Sequence, residues 1–440
     1  MQIKQLKIHF IGIGGIGVSA LAVYYAQKKA KISGSDLAPS EIIESLKKKG
    51  VKIILGKHKR GNLPKGVDLV IYSPAVNKEN PEYKEALKSG VEILSYPQAL
   101  GKLTKDHFTI TVSGTHGKST TTAMLALIMV RAGLDPTVII GTKIKEFSNS
   151  NCRVGKSKYL LIEADEHFAS FLNYSPDIAV LNNIEADHLD YYKNLGNIIK
   201  TFKKYLLNLK DGGIVVANKD DKNLKKIVLK TNTKFFSILQ PEAKKIEKIL
   251  AVPGQHNVYN ALAAMTVAKI LGISDEVFLK SISLYKGAWR RFDVSTVKSK
   301  DFNFTLVSDY AHHPTELKAA MNSGREKWPK KEIWGVFQPH QHQRTFFLFK
   351  DFVKTLKATP FDNLIITDIY DVAGREEKEI KKKVSSKKLA LAVKNKKVLY
   401  ISREKVIDYL KNNLPKNSVL MVIGAGDIYN FSLYFKKISS

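Results

Sequence analysis

The segment Ile110–Leu125, ITVSGTHGKSTTTAML, joins an apolar strand to a helix through a glycine-containing loop. Gly117, Lys118 and Ser119 form the G-K-S core of a phosphate-binding loop, whose lysine meets the β- and γ-phosphates and whose serine hydroxyl holds Mg²⁺. The loop departs from the full pattern, because Val112 stands where the first glycine is expected. The strand, loop and helix together predict an ATP-binding domain. Its predicted ATP contacts are Gly114, Thr115, Gly117, Lys118, Ser119 and Thr120.

A second glycine turn lies upstream, in LKIHFIGIGGIGVSALA, where the spacing G-x-G-x-x-G falls between a strand and a helix. Glycines allow a tight turn and the close approach of a pyrophosphate, while the helix N-terminus supplies N–H donors. An acidic residue ends the next strand, where folds of this kind contact a ribose. The pattern predicts a nucleotide diphosphate site, or alternatively a turn needed only for packing the helix on the sheet. The predicted binding residues are Gly12, Gly14, Gly15, Gly17 and Asp36.

Apolar strand segments alternate with Lys- and Glu-rich helical segments along the chain, which is typical of parallel sheets covered by helices. One set ends near residue 105, a second begins at HFTITVSGTHGKS, and a third follows GAWRRFD near residue 293. The predicted fold class is therefore α/β, with three consecutive α/β domains at residues 1–105, 106–292 and 293–440. The first and third domains are expected to be Rossmann-like, and the central one to resemble a phosphate-loop ATPase.

The chain of 440 residues carries 71 Lys and Arg against 41 Asp and Glu, which gives a formal net charge of +30. The basic residues are nearly all Lys and occur in short scattered clusters, whereas nucleic-acid readers use Arg and aromatic side chains along one face. We therefore expect no nucleic-acid partner. The positive field would still attract polyanionic small substrates.

Cysteine content and hydropathy indicate the cellular compartment of the protein. The single cysteine, Cys152, excludes an internal disulfide and fits a reducing compartment. The sequence has no apolar run of membrane-spanning length, and its first residues lack the pattern of a signal peptide. We expect a cytoplasmic protein without membrane contacts, either a monomer or a weak dimer.

The order and spacing of several motifs resemble the Mur ligases, the ATP-dependent amide-forming enzymes of peptidoglycan precursor synthesis. These motifs are HFIGIGGIGVSALA, SGTHGKSTTTAMLA, EADEHFASFL, NNIEADHLD, PGQHNVYNALAA, WRRFD, DYAHHPTE, FQPHQHQRT and GAGDI. The resemblance implies that residues 1–105 bind the UDP part of UDP-N-acetylmuramate, that residues 106–292 bind ATP and Mg²⁺, and that residues 293–440 bind a small L-amino acid. The implied reaction activates the carboxylate of the nucleotide sugar as an acyl phosphate and joins it to L-alanine.

The resemblance also implies residue roles around the reacting groups. Mg²⁺ is expected at Ser119, Glu163 and His188, although His188 could be a packed core residue. The acidic residues Asp165, Glu166 and Asp187 could instead cap helices. Catalytic roles are implied for Lys118, His116, His188 and Arg344.

The remaining implied contacts are divided between ATP and the other substrates. Asn260 is expected to recognise adenine, Arg291 the ATP phosphates and Asp309 the ATP ribose, whereas Asn257 reads more simply as a helix cap. The implied substrate contacts of the central and third domains are His116, Asn183, Tyr310, His312, His340 and Arg344.

The segment FQPHQHQRT departs from the common family form F-Q-P-H-R-x-x-R-T, because Gln341 stands where an arginine is usual. One positive charge is therefore missing near the amino-acid site. L-Alanine remains the expected substrate, with glycine or L-serine as alternatives. The lysine that is carbamylated in some Mur ligases has no clear counterpart, although Lys200 and Lys203 lie near its spacing.

Other functions remain open at this stage. A murein-recycling ligase would attach a tripeptide to the same nucleotide sugar, but the DYAHHPTE and FQPH segments favour a single amino acid. Folate-polyglutamating ligases share the central domain and would not need the first glycine turn. An NAD-dependent oxidoreductase would use that turn but leaves Lys118 unexplained, and a basic nucleic-acid-binding ATPase would need a stacking platform.

Overall fold

The structure is a computed structural model that describes residues 6–228, 231–372 and 378–439. The chain divides into two compact units. The first unit contains the chain up to Ile184 together with Ile199–Gln240 and Asn260–Ile282, and the second contains Glu185–Ile198, Pro241–Tyr259 and the chain from Ser283 onward. Each unit is described by itself.

The first unit begins with a five-stranded parallel sheet. Its strands are β1 (Lys7–Ile11), β2 (Lys31–Asp36), β3 (Lys52–Leu55), β4 (Leu69–Tyr72) and β5 (Glu92–Ser95), and the helices of this part are α1 (Ile16–Gln27), α2 (Glu41–Lys48), α3 (Pro81–Lys88) and α4 (Tyr96–Lys105). The spatial order is β3-β2-β1-β4-β5. Because the strand order reverses beside β1, the glycine turn after β1 lies where open parallel sheets bind ligands.

A seven-stranded sheet follows in the same unit. Its strands are β6 (Phe108–Ser113), β7 (Thr137–Ile144), β8 (Ser150–Arg153), β9 (Tyr159–Glu163), β10 (Ile178–Leu181), β11 (Ile214–Asn218) and β12 (Thr233–Phe236). The helices along this part of the chain are α5 (Lys118–Arg131), α6 (Leu189–Tyr192), α7 (Leu195–Leu206), α8 (Lys222–Lys225), α9 (Glu242–Ile249), α10 (Gln255–Ile270) and α11 (Asp275–Ser283), of which α6 and α9 belong to the second unit. The order β12-β11-β10-β6-β9-β7-β8 places β6 between β10 and β9, so the loops after these three strands lie side by side.

The second unit is built on a six-stranded sheet with the order β13-β14-β18-β15-β16-β17. These strands are β13 (Asp293–Lys298), β14 (Asn303–Asp309), β15 (Ile333–Phe337), β16 (Asn363–Ile366), β17 (Val398–Tyr400) and β18 (Val419–Ile423). The helices are α12 (Pro314–Lys327), α13 (His342–Phe347), α14 (Phe349–Lys357), α15 (Lys378–Lys383), α16 (Ser386–Val393), α17 (Val406–Asn413) and α18 (Tyr429–Ile438). Along β18, Val419 and Met421 face one apolar cluster, whereas Leu420 and Val422 face another. Burial of both faces explains the continuous apolar sequence VLMVI.

The α/β fold class with three sheets in sequence is confirmed by these elements. The domain boundaries near residues 105 and 293 stay predictions. Two edge pairings are antiparallel, β7 with β8 and β13 with β14, and neither was expected from the sequence. No helix in the described part of the chain is long and apolar enough to cross a bilayer.

The two sheets of the first unit are joined at the edge of the second one. Asn151 of β8 donates from its side-chain amide to the Ile16 carbonyl at 2.5 Å and to the Ser19 hydroxyl at 2.9 Å. Its neighbour Cys152 is buried, and burial raises the pKa of its thiol to about 12. The thiol is therefore protonated at neutral pH, which argues against a nucleophilic role.

A polar cluster is buried between the first sheet and the start of α3. The Glu82 carboxylate is fully buried and accepts hydrogen bonds from His9 at 3.1 Å, Ser35 at 2.6 Å, Asn62 at 2.7 Å and His58 at 2.8 Å. Although burial opposes ionisation, these hydrogen bonds lower the pKa of the Glu82 carboxyl to about 2. The ionised carboxylate therefore stabilises the folded state.

The Glu82 cluster predicts a loss of stability in acid. A lowered carboxyl pKa contributes stability above the unfolded value of 4.5, and that contribution is lost as the pH falls towards about 2. Glu82→Gln should therefore lower the free energy of unfolding at pH 7 by on the order of 3 kcal/mol, and the difference from wild type should shrink between pH 4.5 and 2. Urea unfolding of both proteins at several pH values measures this difference in the free energy of unfolding. The exposed Glu79→Gln variant is the control, and a difference from wild type that is constant with pH would contradict the prediction.

Candidate active site

The phosphate loop connects β6 to α5 and depends on two glycines with positive φ. Gly114 has a φ of 134° and Gly117 a φ of 80°, which side chains other than glycine rarely adopt. A Cβ atom on Gly117 would also lie 2.3 Å from the Oδ1 atom of Asn260. The loop shape therefore needs glycine at this position, and it turns the start of α5 towards the carboxyl end of the sheet.

Asparagines that follow β10 hold the loop in place. The Asn183 side chain accepts the His116 backbone N–H at 2.8 Å and donates to the His116 carbonyl at 3.2 Å. The Asn182 amide donates to the same carbonyl at 3.2 Å and to the Thr121 hydroxyl at 3.1 Å. Asn183 was expected as a substrate contact, and in this structure it positions the backbone of the loop. Asn182 was not singled out by the sequence, although its place directly after a buried strand was a usable signal.

Asn260 lies behind the phosphate loop. Its side chain is 5% exposed, and its Oδ1 atom accepts the Thr121 hydroxyl at 3.1 Å. This contact supports the first turn of α5, and adenine recognition by Asn260 stays a prediction. The simpler interpretation of Asn257 as a helix cap is wrong, because α10 begins at Gln255 and the Asn257 amide donates to the Pro253 carbonyl at 2.6 Å.

Lys118 is held by carboxylate and backbone oxygens. Its Nζ atom lies 2.8 Å from the Gly114 carbonyl and from Oε2 of Glu166, and 3.5 Å from Oδ1 of Asp165. Although burial opposes the charge, Glu166 and then Asp165 raise the pKa of Lys118 above its usual value. The cation is therefore permanently charged at the point where phosphates are expected.

Ser119 and Glu163 come together beside the loop, as the sequence predicted. The Ser119 hydroxyl donates to Oε1 of Glu163 at 2.9 Å, and the other carboxylate oxygen accepts the Gly141 N–H at 2.8 Å. A hydroxyl and a carboxylate are oxygen ligands of the kind that Mg²⁺ prefers. The chemistry of this donor pair therefore fits a magnesium ion beside the phosphate loop.

His188 lies in the second unit, directly before α6. It adopts a φ of 51°, and its carbonyl accepts the N–H groups of Tyr191 and Tyr192 at 3.0 and 2.9 Å. Its Nε2 atom lies 3.7 Å from Oδ2 of Asp187. Its joint role with Ser119 and Glu163 in binding a metal stays a prediction.

The first glycine turn is held by contacts with the end of β2. The Gly14 N–H donates to Oδ2 of Asp36 at 2.8 Å, and the Gly12 N–H to the Ser35 carbonyl at 2.9 Å. A Cβ atom on Gly17 would lie 2.7 Å from the Tyr96 ring. Close packing therefore accounts for Gly17, whereas the φ of 75° at Gly12 is a requirement of the turn itself.

Arg344, the predicted amino-acid contact, is paired with Asp187 in the second unit. Arg344 is 7% exposed, and its Nε and Nη2 atoms donate to the two Asp187 carboxylate oxygens at 3.0 and 3.4 Å. Although burial opposes both charges, each partner stabilises the other, which raises the pKa of Arg344 and holds that of Asp187 well below its usual value. The guanidinium thus binds the Asp187 carboxylate through two of its nitrogens.

Two neutral histidines lie next to this pair. Burial lowers the pKa of His312 to about 4 and that of His340 to about 2. The His340 ring stacks on Tyr370, with 5.3 Å between ring centroids, and Nδ1 of His312 lies 3.0 Å from the Tyr310 carbonyl. The structure therefore brings the four predicted residues Tyr310, His312, His340 and Arg344 into one region. Tyr370 is an addition that the sequence analysis missed.

Asp309 and Arg291 lie at the beginning of the same region. The two Asp309 oxygens accept the backbone N–H groups of Ala311 and Phe292, both at 2.8 Å, and burial raises the pKa of this carboxyl. Arg291 lies over the Tyr310 ring at 5.1 Å, with Nη1 at 3.9 Å from Oε1 of Glu316. Their expected contacts with the ATP ribose and phosphates stay predictions.

Three family profiles match successive parts of the chain. The profile described as "Mur ligase family, catalytic domain" matches residues 7–108, "Mur ligase middle domain" matches residues 112–245, and "Mur ligase, glutamate ligase domain" matches residues 290–426. The chain belongs to the Mur ligase family. The resemblance inferred from the motifs is therefore confirmed.

Curated relatives of this Mur ligase match over nearly the full length. The UDP-N-acetylmuramate–L-alanine ligase of Acetivibrio thermocellus is 37% identical over 463 aligned residues, which cover 99% of this chain and 96% of the relative. Among solved structures, the UDP-N-acetylmuramate–alanine ligase of Thermotoga maritima is 26% identical, with a TM-score of 0.79 and coverage of 98% of this chain and 99% of that one.

A murein peptide ligase from Psychrobacter arcticus also matches, with a TM-score of 0.72, 21% identity and coverage of 98% of both chains. At that identity the match shows the fold of this Mur ligase and does not bear on its substrate.

Proposed function

We propose that this Mur ligase joins UDP-N-acetylmuramate to L-alanine at the expense of ATP. The proposal rests on the phosphate loop, in which Lys118 contacts the Gly114 carbonyl, and on the Ser119–Glu163 pair beside it. It also rests on the match of this chain to an alanine-adding ligase over 99% of its length. The first glycine turn supplies the site for UDP, and the region of Arg344 supplies the site for the amino acid.

The chemistry proceeds in two transfers. A carboxylate oxygen of the muramate lactyl group attacks the γ-phosphorus of ATP and displaces ADP, which gives an acyl phosphate. The amine of alanine then attacks the acyl carbon, phosphate leaves, and the amine loses its extra proton. Because a carboxylate approaching a triphosphate brings anions together, Lys118 acts by holding positive charge against the phosphates, and the loop N–H groups orient them.

The proposal is tested by measuring phosphate release with ATP and UDP-N-acetylmuramate together with L-alanine, a tripeptide, NADH or DNA. We expect release only when the nucleotide sugar and a single amino acid are both present, with formation of the amide product. Phosphate release that needs neither of them would refute the ligase function, and a preference for the tripeptide would favour the recycling reaction.

Mg²⁺ is the proposed metal, held by Ser119 and Glu163 and, by family resemblance, by His188. When bound, it would neutralise negative charge on the ATP phosphates. The protein is also proposed to act in the cytoplasm as a monomer or weak dimer, without nucleic-acid or membrane partners. The scattered basic residues and the phosphate-bearing substrates support the view that the net charge of +30 attracts small anionic substrates.

The Glu163–Ser119 pair predicts a specific change in metal dependence. Glu163→Gln keeps the size of the side chain and removes its charge, so the Mg²⁺ concentration for half-maximal activity should rise about 10-fold or more. A Mg²⁺ titration of the initial rate measures this. The control is Glu146→Gln, an exposed carboxylate that lies outside the pair, and an unchanged titration midpoint in Glu163→Gln would contradict a metal role.

Gln341 predicts an effect on amino-acid selection. It directly precedes α13 with a φ of 72° and borders a small cavity together with Asp187, Arg344 and Phe347. Gln341→Arg should restore a positive charge at this cavity and lower the KM for L-alanine several-fold. The ranking of L-alanine, glycine and L-serine by kcat/KM in wild type and variant measures it. Equal values in both proteins would mean that this position has no influence on specificity.

A further inference from the structure

Arg290 is a buried cation that the chemistry described above does not use. The residue is 6% exposed, and its Nη2 atom donates to the carbonyl of Gly424 and, at 3.3 Å, to that of Gly426. Among the described residues, no carboxylate forms an ion pair with this guanidinium, and its buried Nε atom has no hydrogen-bond partner. Burial lowers the pKa of Arg290, although an arginine stays charged at neutral pH. Because a buried charge without a counter-ion is costly, contacts of another kind have to stabilise it.

Three aromatic side chains contact the guanidinium instead. Its Cζ atom lies 4.8 Å from the ring centroids of both Tyr310 and Tyr429, and 5.6 Å from that of Trp289. The Trp289 indole N–H donates to the Tyr429 hydroxyl at 3.0 Å, which fixes two of the rings relative to each other. The faces of aromatic rings attract a cation, most strongly where water is excluded. These three residues form an aromatic cage around Arg290.

The backbone at Arg290 also departs from common geometry. Its φ is 57°, and that of Phe292 is 52°, a region that residues other than glycine occupy rarely. The Phe292 N–H donates to Oδ2 of Asp309 at 2.8 Å, which holds this segment against the end of β14. Left-handed backbone at such residues persists only where surrounding contacts impose it, and these residues cluster at functional sites.

The Tyr310 ring connects Arg290 with the predicted amino-acid site. Tyr310 directly follows β14, and its ring centroid lies 5.4 Å from that of His312. The Arg291 guanidinium lies over the same ring at 5.1 Å, so two consecutive arginines contact one tyrosine. Arg290 is the more deeply buried of the two, and it therefore supplies the fixed contact to this ring.

The loop after β18 provides a second connection. Gly424 and Gly426, whose carbonyls accept from Arg290, belong to this loop. A Cβ atom on Gly426 would lie 2.5 Å from the Tyr370 ring, so the loop backbone packs directly on that ring. Tyr370 in turn stacks on His340, one of the predicted substrate contacts. A displaced loop would therefore leave Tyr370 and His340 without their support.

We propose that Arg290 is a positioning residue of the amino-acid site, which fixes the Tyr310 ring and the loop Gly424–Gly426 and does not itself contact the substrate. The proposal rests on the amino-acid site of the proposed function. A planar guanidinium can lie against aromatic rings while it donates to carbonyls, whereas the ammonium of lysine is a compact point charge. Arg290→Lys should therefore keep the charge and lose the positioning.

The measurement is steady-state kinetics of the full chain, with L-alanine, ATP and UDP-N-acetylmuramate varied in turn. In Arg290→Lys the KM for L-alanine should rise about 10-fold, as expected for the loss of a desolvated cation–π contact. The KM values for ATP and the nucleotide sugar should stay at their wild-type values. A residue that only stabilises the fold would instead lower the amount of active enzyme, and hence the apparent kcat, without a selective change in one KM.

A double-mutant cycle tests whether Arg290 acts through Tyr310. Tyr310→Leu removes the ring, so Arg290→Lys should raise the KM for L-alanine by a smaller factor in that background than in wild type. Equal factors in the two backgrounds would overturn the connection through Tyr310.

Two other arginines of the second unit serve as comparisons. Arg325 also donates to backbone carbonyls, those of Pro360 at 3.0 Å and Lys331 at 2.8 Å. Arg325→Lys should therefore lower Tm and leave the KM for L-alanine unchanged. Arg291→Lys changes the neighbouring residue, and its expected effect is on the KM for ATP.

The outcomes that overturn the proposal differ from the one that overturns the function. If Arg290→Lys leaves the KM for L-alanine unchanged, or raises the KM for ATP equally, Arg290 does not position the amino-acid site. The same holds if Arg325→Lys raises the KM for L-alanine as much. Arg290→Gln buries no charge and is the second variant, expected to show the same selective rise; failure of both variants to fold would mean a purely structural role. If wild type forms no amide with L-alanine, the proposed function itself is wrong.

Discussion

Lys118→Ala is expected to lower kcat by roughly 100- to 1000-fold, because removing one charge-stabilising donor at a reacting centre has an effect of that size. In the structure the Nζ atom is the cation inside the phosphate loop, next to the Gly114 carbonyl. Its loss would remove the side-chain charge that we propose for the transferred phosphoryl group. Single-turnover rates of phosphate release at saturating ATP and UDP-N-acetylmuramate measure the effect.

Controls for this variant follow from the contacts of the lysine. Lys118→Ala leaves Glu166 without its cation at 2.8 Å, so the double variant with Glu166→Gln keeps the buried site neutral. Lys102→Ala, which removes a lysine that is half exposed, should retain wild-type activity. A single or double variant that keeps most of the wild-type rate would overturn the role given to Lys118.

Arg344→Ala is expected to lower the free energy of unfolding by about 3–5 kcal/mol, because it leaves the buried Asp187 carboxylate without its partner. Replacing Asp187 as well removes the unpaired charge, so the free energy of unfolding of the double variant should be closer to that of wild type. Activity should not recover, since the double variant still lacks the guanidinium proposed for the alanine carboxylate. Urea unfolding and the KM for L-alanine measure the two effects separately.

The matched control is the pair of Arg325 and Asp362 in the same unit, whose side chains are 27% and 41% exposed. A partly exposed ion pair contributes no more than about 1 kcal/mol, and Arg325 also donates to the Pro360 and Lys331 carbonyls, so Arg325→Ala should cost less than Arg344→Ala. If Arg344→Ala is no more destabilising than Arg325→Ala, the burial of the Asp187 pair has no energetic consequence. Recovery of alanine binding in the double variant would remove Arg344 from the amino-acid site.

Local patterns allowed much of the fold to be predicted. The glycines of both turns are recognisable from their spacing within a few residues. Strands β9 and β18 contain continuous apolar runs, and β6 is a buried strand rich in β-branched residues. The two strands with unexpected antiparallel pairings, β8 and β13, contain several polar residues. The sequence SNCR of β8 and DVSTVK of β13 resembles loop sequence, because edge strands have neighbours on one side only.

Long-range pairings explain what could not be predicted at the site. Ser119 and Glu163 were expected together, because Ser119 lies at the start of the helix after β6 and Glu163 ends β9, and the carboxyl ends of these two parallel strands lie at one sheet edge. The pairing of Arg344 with Asp187 joins residues 157 positions apart, and no spacing in the sequence indicates it. The sequence does not indicate the contact of Asn260 with Thr121 either, since it joins residues 139 positions apart.

The contacts of Asn151 limit how this enzyme can be recombined with its relatives. Residues 1–105 look like a self-contained module in the sequence, but the helix after their glycine turn is bonded to β8 through Ile16 and Ser19. A chimaera that takes this segment from another ligase therefore has to match the β8 edge as well. Exchange at the apparent boundary alone would separate the Ile16 carbonyl and the Ser19 hydroxyl from the Asn151 amide that donates to them.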